Sequence, residues 1–141
     1  MTPWTIIFGM LGLVPFWAPV SFSLTDPALA VRAATIQAIY AGVILSFLGG
    51  ARFGRAFDRP GGGGVVALSM IPSIMSLFIL VLPTEDAASK LIFLATALAV
   101  ALAWDLRATD FTPGYKILRT ILTLLAIAPM AALAMITWPR P

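Results

Sequence analysis

The chain has 141 residues, 60% of them apolar and 11% charged, a formal net charge of +3, and neither cysteine nor histidine. Soluble domains run to about 45–50% apolar and 25% charged residues, so most of this chain belongs in lipid, and its length suits one domain. The missing residue types exclude disulfides, a thiolate nucleophile, a Ser-His-Asp triad and the usual zinc and haem ligands.

Five apolar segments follow one another, at about 4–20, 27–57, 65–82, 87–104 and 117–138. They predict an all-α polytopic membrane protein, a bundle of five transmembrane helices forming a single integral membrane domain over 1–141. The first three residues lack the positive flank of a signal peptide, and the first run holds Pro15 and Pro19, so it is predicted as a span. Segments one, three and four, at 17–18 residues, sit at the lower limit for a hydrocarbon core of about 30 Å. That shortness suggests a thin bilayer or packing against a partner.

The second segment opens on Asp26-Pro27, a capping residue followed by proline at the first helical position. Arg32 and Arg52 bracket nineteen uncharged residues, a length of about 28 Å as a helix, which places them at opposite interfaces. Small residues recur every fourth position, and Ala38, Gly42, Ser46, Gly50 and Gly54 form a candidate helix-packing seam. Such a seam serves either the protomer itself, a membrane-protein partner or a second copy. The glycines at 61–64 lack the Lys-Ser/Thr of a phosphate loop and read as a flexible turn.

Each odd segment carries a proline near mid-span: Pro15, Pro72 and Pro129 are candidate kinks. Each frees a carbonyl one turn earlier that a neighbour must satisfy, and Gln37, Tyr40, Ser46 and Ser73 are the polar candidates. The kinks either reflect the ordinary abundance of proline in membrane helices or line a central cavity. Trp4 and Trp104 fall on one membrane face and Trp17 and Trp138 on the other, as aromatic belts do.

Arg52, Arg55, Arg59, Arg107, Lys116 and Arg119 lie on the side of the N-terminus, against Arg32, Lys90 and Arg140 on the other. The positive-inside rule then predicts a cytoplasmic N-terminus and a periplasmic C-terminus. Arg52, Arg55, Asp58, Asp105, Arg107, Tyr115 and Arg119 form a candidate interfacial charge cluster. Its favoured ion pairs join Asp58 or Asp105 to Arg119 or Arg52. Its cations also attract anionic headgroups, by about 1 kcal/mol each. No catalytic, cofactor or metal residues are predicted. Asp105 and Asp110 lie five apart rather than one helical turn apart, and no D-G-x-x-A-R pattern of lipid phosphotransferases is present. The expected partners are the lipid bilayer, anionic lipid headgroups and a membrane-protein partner or second copy, with no nucleic acid.

YAGVILSFLGGARFG at 40–54, IPS at 71–73, Asp105, and the spacing Pro113, Tyr115, Arg119, Thr123 resemble domain-of-unknown-function family 3429. These are small proteobacterial inner-membrane proteins with a mitochondrial relative. The resemblance spans nearly the whole chain and departs from the family at Phe53 and Gly114, where tryptophan is usual. It implies a bacterial inner-membrane location and weight on Arg52 and Arg119, and it implies no chemistry. Two functions remain in view: a non-enzymatic accessory, assembly or stabilising factor of a larger membrane complex, or a carrier or binding protein for a lipid or quinone. A lipid-active metalloenzyme around Asp105 and Asp110 is the remote third.

Overall fold

A computed structural model describes residues 3–57, 62–81, 83, 86–109 and 111–139. Asp58, Arg59, Asp110 and Arg140 from the charge analysis lie outside the described residues, as does Gly61. The described residues are all-helical: α1 (Pro3–Leu11), α2 (Val14–Thr25), a 3-10 turn (Pro27–Leu29), α3 (Ala30–Ala56), α4 (Gly63–Ser69), α5 (Ile71–Val81), α6 (Ala87–Arg107) and α7 (Pro113–Thr137). Five stretches are long and apolar enough to cross a membrane: Pro3–Thr25, Pro27–Ala56, Gly63–Val81, Ala87–Arg107 and Pro113–Thr137.

The first, third and fourth of these hold 23, 19 and 21 residues, roughly 28–34 Å at the helical rise. The shortness read from the apolar runs therefore disappears, because the helices carry polar ends such as Asp105 inward. The fifth span starts at Pro113 rather than 117. Thr112 caps it by accepting from the Tyr115 amide at 3.4 Å, with proline at the first helical position. Gly63 and Gly64, expected in a turn, belong to the first turn of α4, which the Val66 N–H closes onto Gly62 O at 2.9 Å.

The α3 helix is the axis, touching α2, α4, α5, α6 and α7. Ala34, Ala38 and Ala41 let its neighbours close in, and Phe16, Leu45, Leu91, Leu94, Leu98, Met130 and Leu133 fill the centre. Water drives nothing between helices in lipid, so close packing and interhelical hydrogen bonds hold such a bundle. Here Gln37 Nε2 donates to Phe16 O at 2.6 Å, Tyr40 Oη to Gly12 O at 2.9 Å and Ser76 Oγ to Gly42 O at 2.8 Å.

The predicted seam divides. A Cβ at Gly42 would lie 2.7 Å from Ser76 Oγ and from Leu80 Cδ1, but Gly50 and Gly54 are exposed with nothing within 4 Å. The tight approach passes instead to Gly49, whose Cβ would meet Ser69 O at 2.5 Å. A strict four-residue step overshoots a helical turn by about 40°. A straight contact line must mix threes and fours, as the buried series Ala34, Ala38, Ala41, Leu45, Gly49, Arg52, Ala56 does.

The prolines divide as well. The first span breaks at Gly12–Leu13 and the third at Met70. Pro15 and Pro72 then stand at the second position of the resumed helices, where a missing N–H costs little. Pro129 lies inside the unbroken α7.

Candidate functional site

Three helix ends converge on Asp105. Arg52 comes from the last turns of α3, Asp105 from the end of α6 and Arg119 from the second turn of α7. Arg52 Nε donates to Asp105 Oδ1 at 2.7 Å, and its Nη2 lies 2.5 Å from the same oxygen without hydrogen-bonding alignment. Arg119 Nε donates to Oδ2 at 2.8 Å and its Nη1 to Thr123 Oγ1 at 2.5 Å. The three residues are 8%, 3% and 7% exposed, so these are desolvated charges rather than a solvated rim. Charged groups so buried must be paired or their desolvation is uncompensated.

Aromatic rings complete the surroundings. The Arg52 guanidinium lies 3.9 Å from the centroid of Trp104, within cation–π range. Arg55 lies 4.5 Å from the Phe111 centroid, and Phe111 stacks on Tyr115 at 4.5 Å. Lys116 Nζ donates to Leu106 O at 2.8 Å. The loop between α6 and α7 is thus held by charge and ring contacts on both flanks.

Beside this trio, a cleft of about 530 Å³ runs between α1, α3 and α7. Phe8, Leu13, Phe47, Leu48 and Leu122 line it with hydrocarbon, and along α7 its wall extends from Tyr115 to Ala126, about 16 Å by helical rise. Tyr115, Arg119 and Thr123 supply polar groups along that wall. Among the described residues, Arg119 Nη2 is buried and has no hydrogen-bond partner. The three mid-span prolines do not share this cavity. Pro72 lines a separate groove of about 260 Å³ with Trp104, Pro15 another of about 480 Å³ near Arg32, and Pro129 is packed in the core region of α7. The central proline-lined cavity considered from the sequence is filled by the side chains named above.

A family model described as "Protein of unknown function (DUF3429)" matches residues 1–135. The chain belongs to the DUF3429 family. This DUF3429 protein is also 30% identical over 128 residues to Transmembrane protein 69 of Xenopus tropicalis. The match covers 86% of the chain and 50% of that relative, so the chain spans about half the length of the curated relative it matches. No solved structure matches it.

Of the residues singled out in the sequence, the DUF3429 fold brings Arg52, Asp105, Arg119 and Tyr115 to one place and stations Arg55 beside them. Arg107 is exposed at the end of α6. Ala38 is buried, Ser46 half-buried. Gln37 and Tyr40 bond across helices, but to Phe16 O and Gly12 O rather than to the carbonyls four residues before Pro15 and Pro72. Trp17, not one of the expected partners, takes the Leu125 carbonyl before Pro129. Sequence reasoning read Trp104 only as a belt residue and gave Phe111 no role. The Arg119–Thr123 bond was not anticipated either, though their spacing of four, which puts them on one helical face, is a signal that could have found it.

Proposed function

We propose that this DUF3429 protein is a non-enzymatic inner-membrane protein that binds a small amphiphile in the cleft between α1, α3 and α7. The observation that carries this reading is the cleft itself. Its volume falls in the range of small-molecule sites, its lining is mostly hydrocarbon, and a few polar groups are spaced along its α7 wall. Both oxygens of Asp105 are engaged by arginines, which supports a binding role over metal-assisted chemistry at that carboxylate. A cytoplasmic N-terminus follows from the positive-inside rule. Arg52, Arg119 and Lys116 gather at one end of the bundle, while Lys90 donates to Leu80 O elsewhere, at the start of α6. The test is gentle detergent extraction from native membranes followed by native mass analysis. A lone protomer or homodimer carrying a defined small molecule is the expected result, and a protein isolated with its cleft empty overturns the reading.

The accessory or assembly role becomes the second reading. It is favoured by the face carrying Ser46, Gly50 and Gly54, where among the described residues no side chain lies within 4 Å of a Cβ at Gly50 or Gly54. It expects a stoichiometric membrane-protein partner in the same extraction, lost in Gly50→Leu while membrane insertion is retained. Unchanged co-purification in that variant would remove this face from consideration.

A further inference from the structure

Resting on the amphiphile reading, we infer that the cleft selects a single-chain amphiphile with a monoanionic oxyanion head, a long-chain carboxylate, held by Arg119. Among the described residues, two guanidiniums and one carboxylate leave the buried trio with a formal charge of +1. In a desolvated setting an uncompensated charge is costly, and one negative charge from the membrane neutralises it. A neutral quinone or glyceride head does not.

Arg119 is built to do this. Its Nε is fixed on Asp105 and its Nη1 on Thr123, so the plane of the guanidinium is set before any ligand arrives. The remaining nitrogen, Nη2, has no hydrogen-bond partner among the described residues, and the side chain is more than nine-tenths buried while lining the cleft. A preorganised, charge-assisted donor of this kind favours a charged acceptor over a neutral one. The mostly apolar wall running from Arg119 to Ala126, about 10 Å long, then takes the head-proximal part of one acyl chain, past Leu122, with the remainder in the bilayer.

The test uses the full chain purified in a neutral detergent, with oleate, 1-monooleoylglycerol and decylubiquinone as probes and bound fraction read by native mass spectrometry. Two variants accompany it: Leu122→Trp, which fills the cleft and leaves the trio untouched, and Arg119→Gln. Oleate is expected to bind at least tenfold more tightly than either neutral probe. Leu122→Trp should lower oleate binding at least tenfold, and Arg119→Gln should abolish the preference for oleate over the glyceride. Neutral probes bound as tightly as oleate, and all lost in Leu122→Trp, overturn the anionic head and leave the cleft as a site. Probes that bind wild type and Leu122→Trp equally overturn both. If Arg119→Gln does not fold, the wild-type preference and the Leu122→Trp result decide between these outcomes.

Discussion

The indole of Trp17 donates to the carbonyl of Leu125 at 3.1 Å, the carbonyl that Pro129, four residues on, leaves without its helical amide partner. A tryptophan on α2 thereby takes over a backbone bond of α7. Interhelical bonds in membranes are worth about 0.6 kcal/mol on average and at most about 1.7. Trp17→Phe should therefore destabilise the bundle within that range. In a Pro129→Ala background the amide of residue 129 reclaims the carbonyl, and the loss on Trp17→Phe should shrink. A double-mutant cycle by denaturation in mixed micelles measures the difference, and additive losses would deny the coupling.

Removing the carboxylate from the buried trio should be far more damaging than removing the trio. Asp105→Ala strands two desolvated guanidiniums side by side, at a cost of about 3–5 kcal/mol. The triple replacement Arg52→Met, Asp105→Leu, Arg119→Met should recover most of that stability, because apolar groups of similar volume carry no desolvation penalty. Thermal unfolding in detergent compares the two. A triple variant as unstable as Asp105→Ala would show that the charges stabilise the fold beyond cancelling one another.

Adjacent glycines in α3 should respond with opposite sign. Gly49→Ala drives a Cβ onto the backbone oxygen of Ser69 at 2.5 Å, and overpacking of this kind costs about 1–3 kcal/mol. Gly50→Ala meets nothing within 4 Å and gains up to about 1 kcal/mol of helix propensity. Melting temperatures of the two variants, measured side by side, check this ordering.

At the other end of the bundle, Asp86 caps α6. Its carboxylate accepts from the Ser89 hydroxyl at 2.7 Å and from the amides of Ala88 and Ser89 at 2.9 and 3.3 Å. These bonds, the Ser89 hydroxyl first, hold its pKa below the usual carboxylate range. A depressed folded pKa means that the cap contributes its stability above the unfolded pKa and loses it as pH falls through the folded one. Hydrogen exchange at the Ala88 and Ser89 amides should accelerate relative to neighbouring amides across that acid window. Asp86→Asn keeps a capping side chain and should remove the pH dependence, and a persisting acid transition would assign it to another group.

Much of this architecture was legible because its signals are local. Apolar run length gave the five spans, and Asp26-Pro27 marked the entry to the second helix. The same device at Thr112-Pro113 was masked by the charged residues after it, which is why the fifth span was begun too late. Within the protomer the seam leaves Gly50 and Gly54 open, because a spacing of four does not follow a helix of 3.6 residues per turn. Asp105 and the two arginines were readable as a cluster, since opposite charges at one membrane face must find each other. The cleft was not readable. It depends on the side chains that three separate helices bring together, and on Gly9 letting Leu122 come within 2.9 Å of where its Cβ would stand.

The two ion pairs also impose an order on synthesis. Asp105 follows Arg52 by 53 residues, and Arg119 follows Asp105 by 14. A nascent chain that stops before α6 leaves Arg52 without Asp105, and one that stops before α7 leaves Oδ2 of Asp105 without Arg119. The trio therefore doubles as a completion mark, closed only when the last helix has arrived.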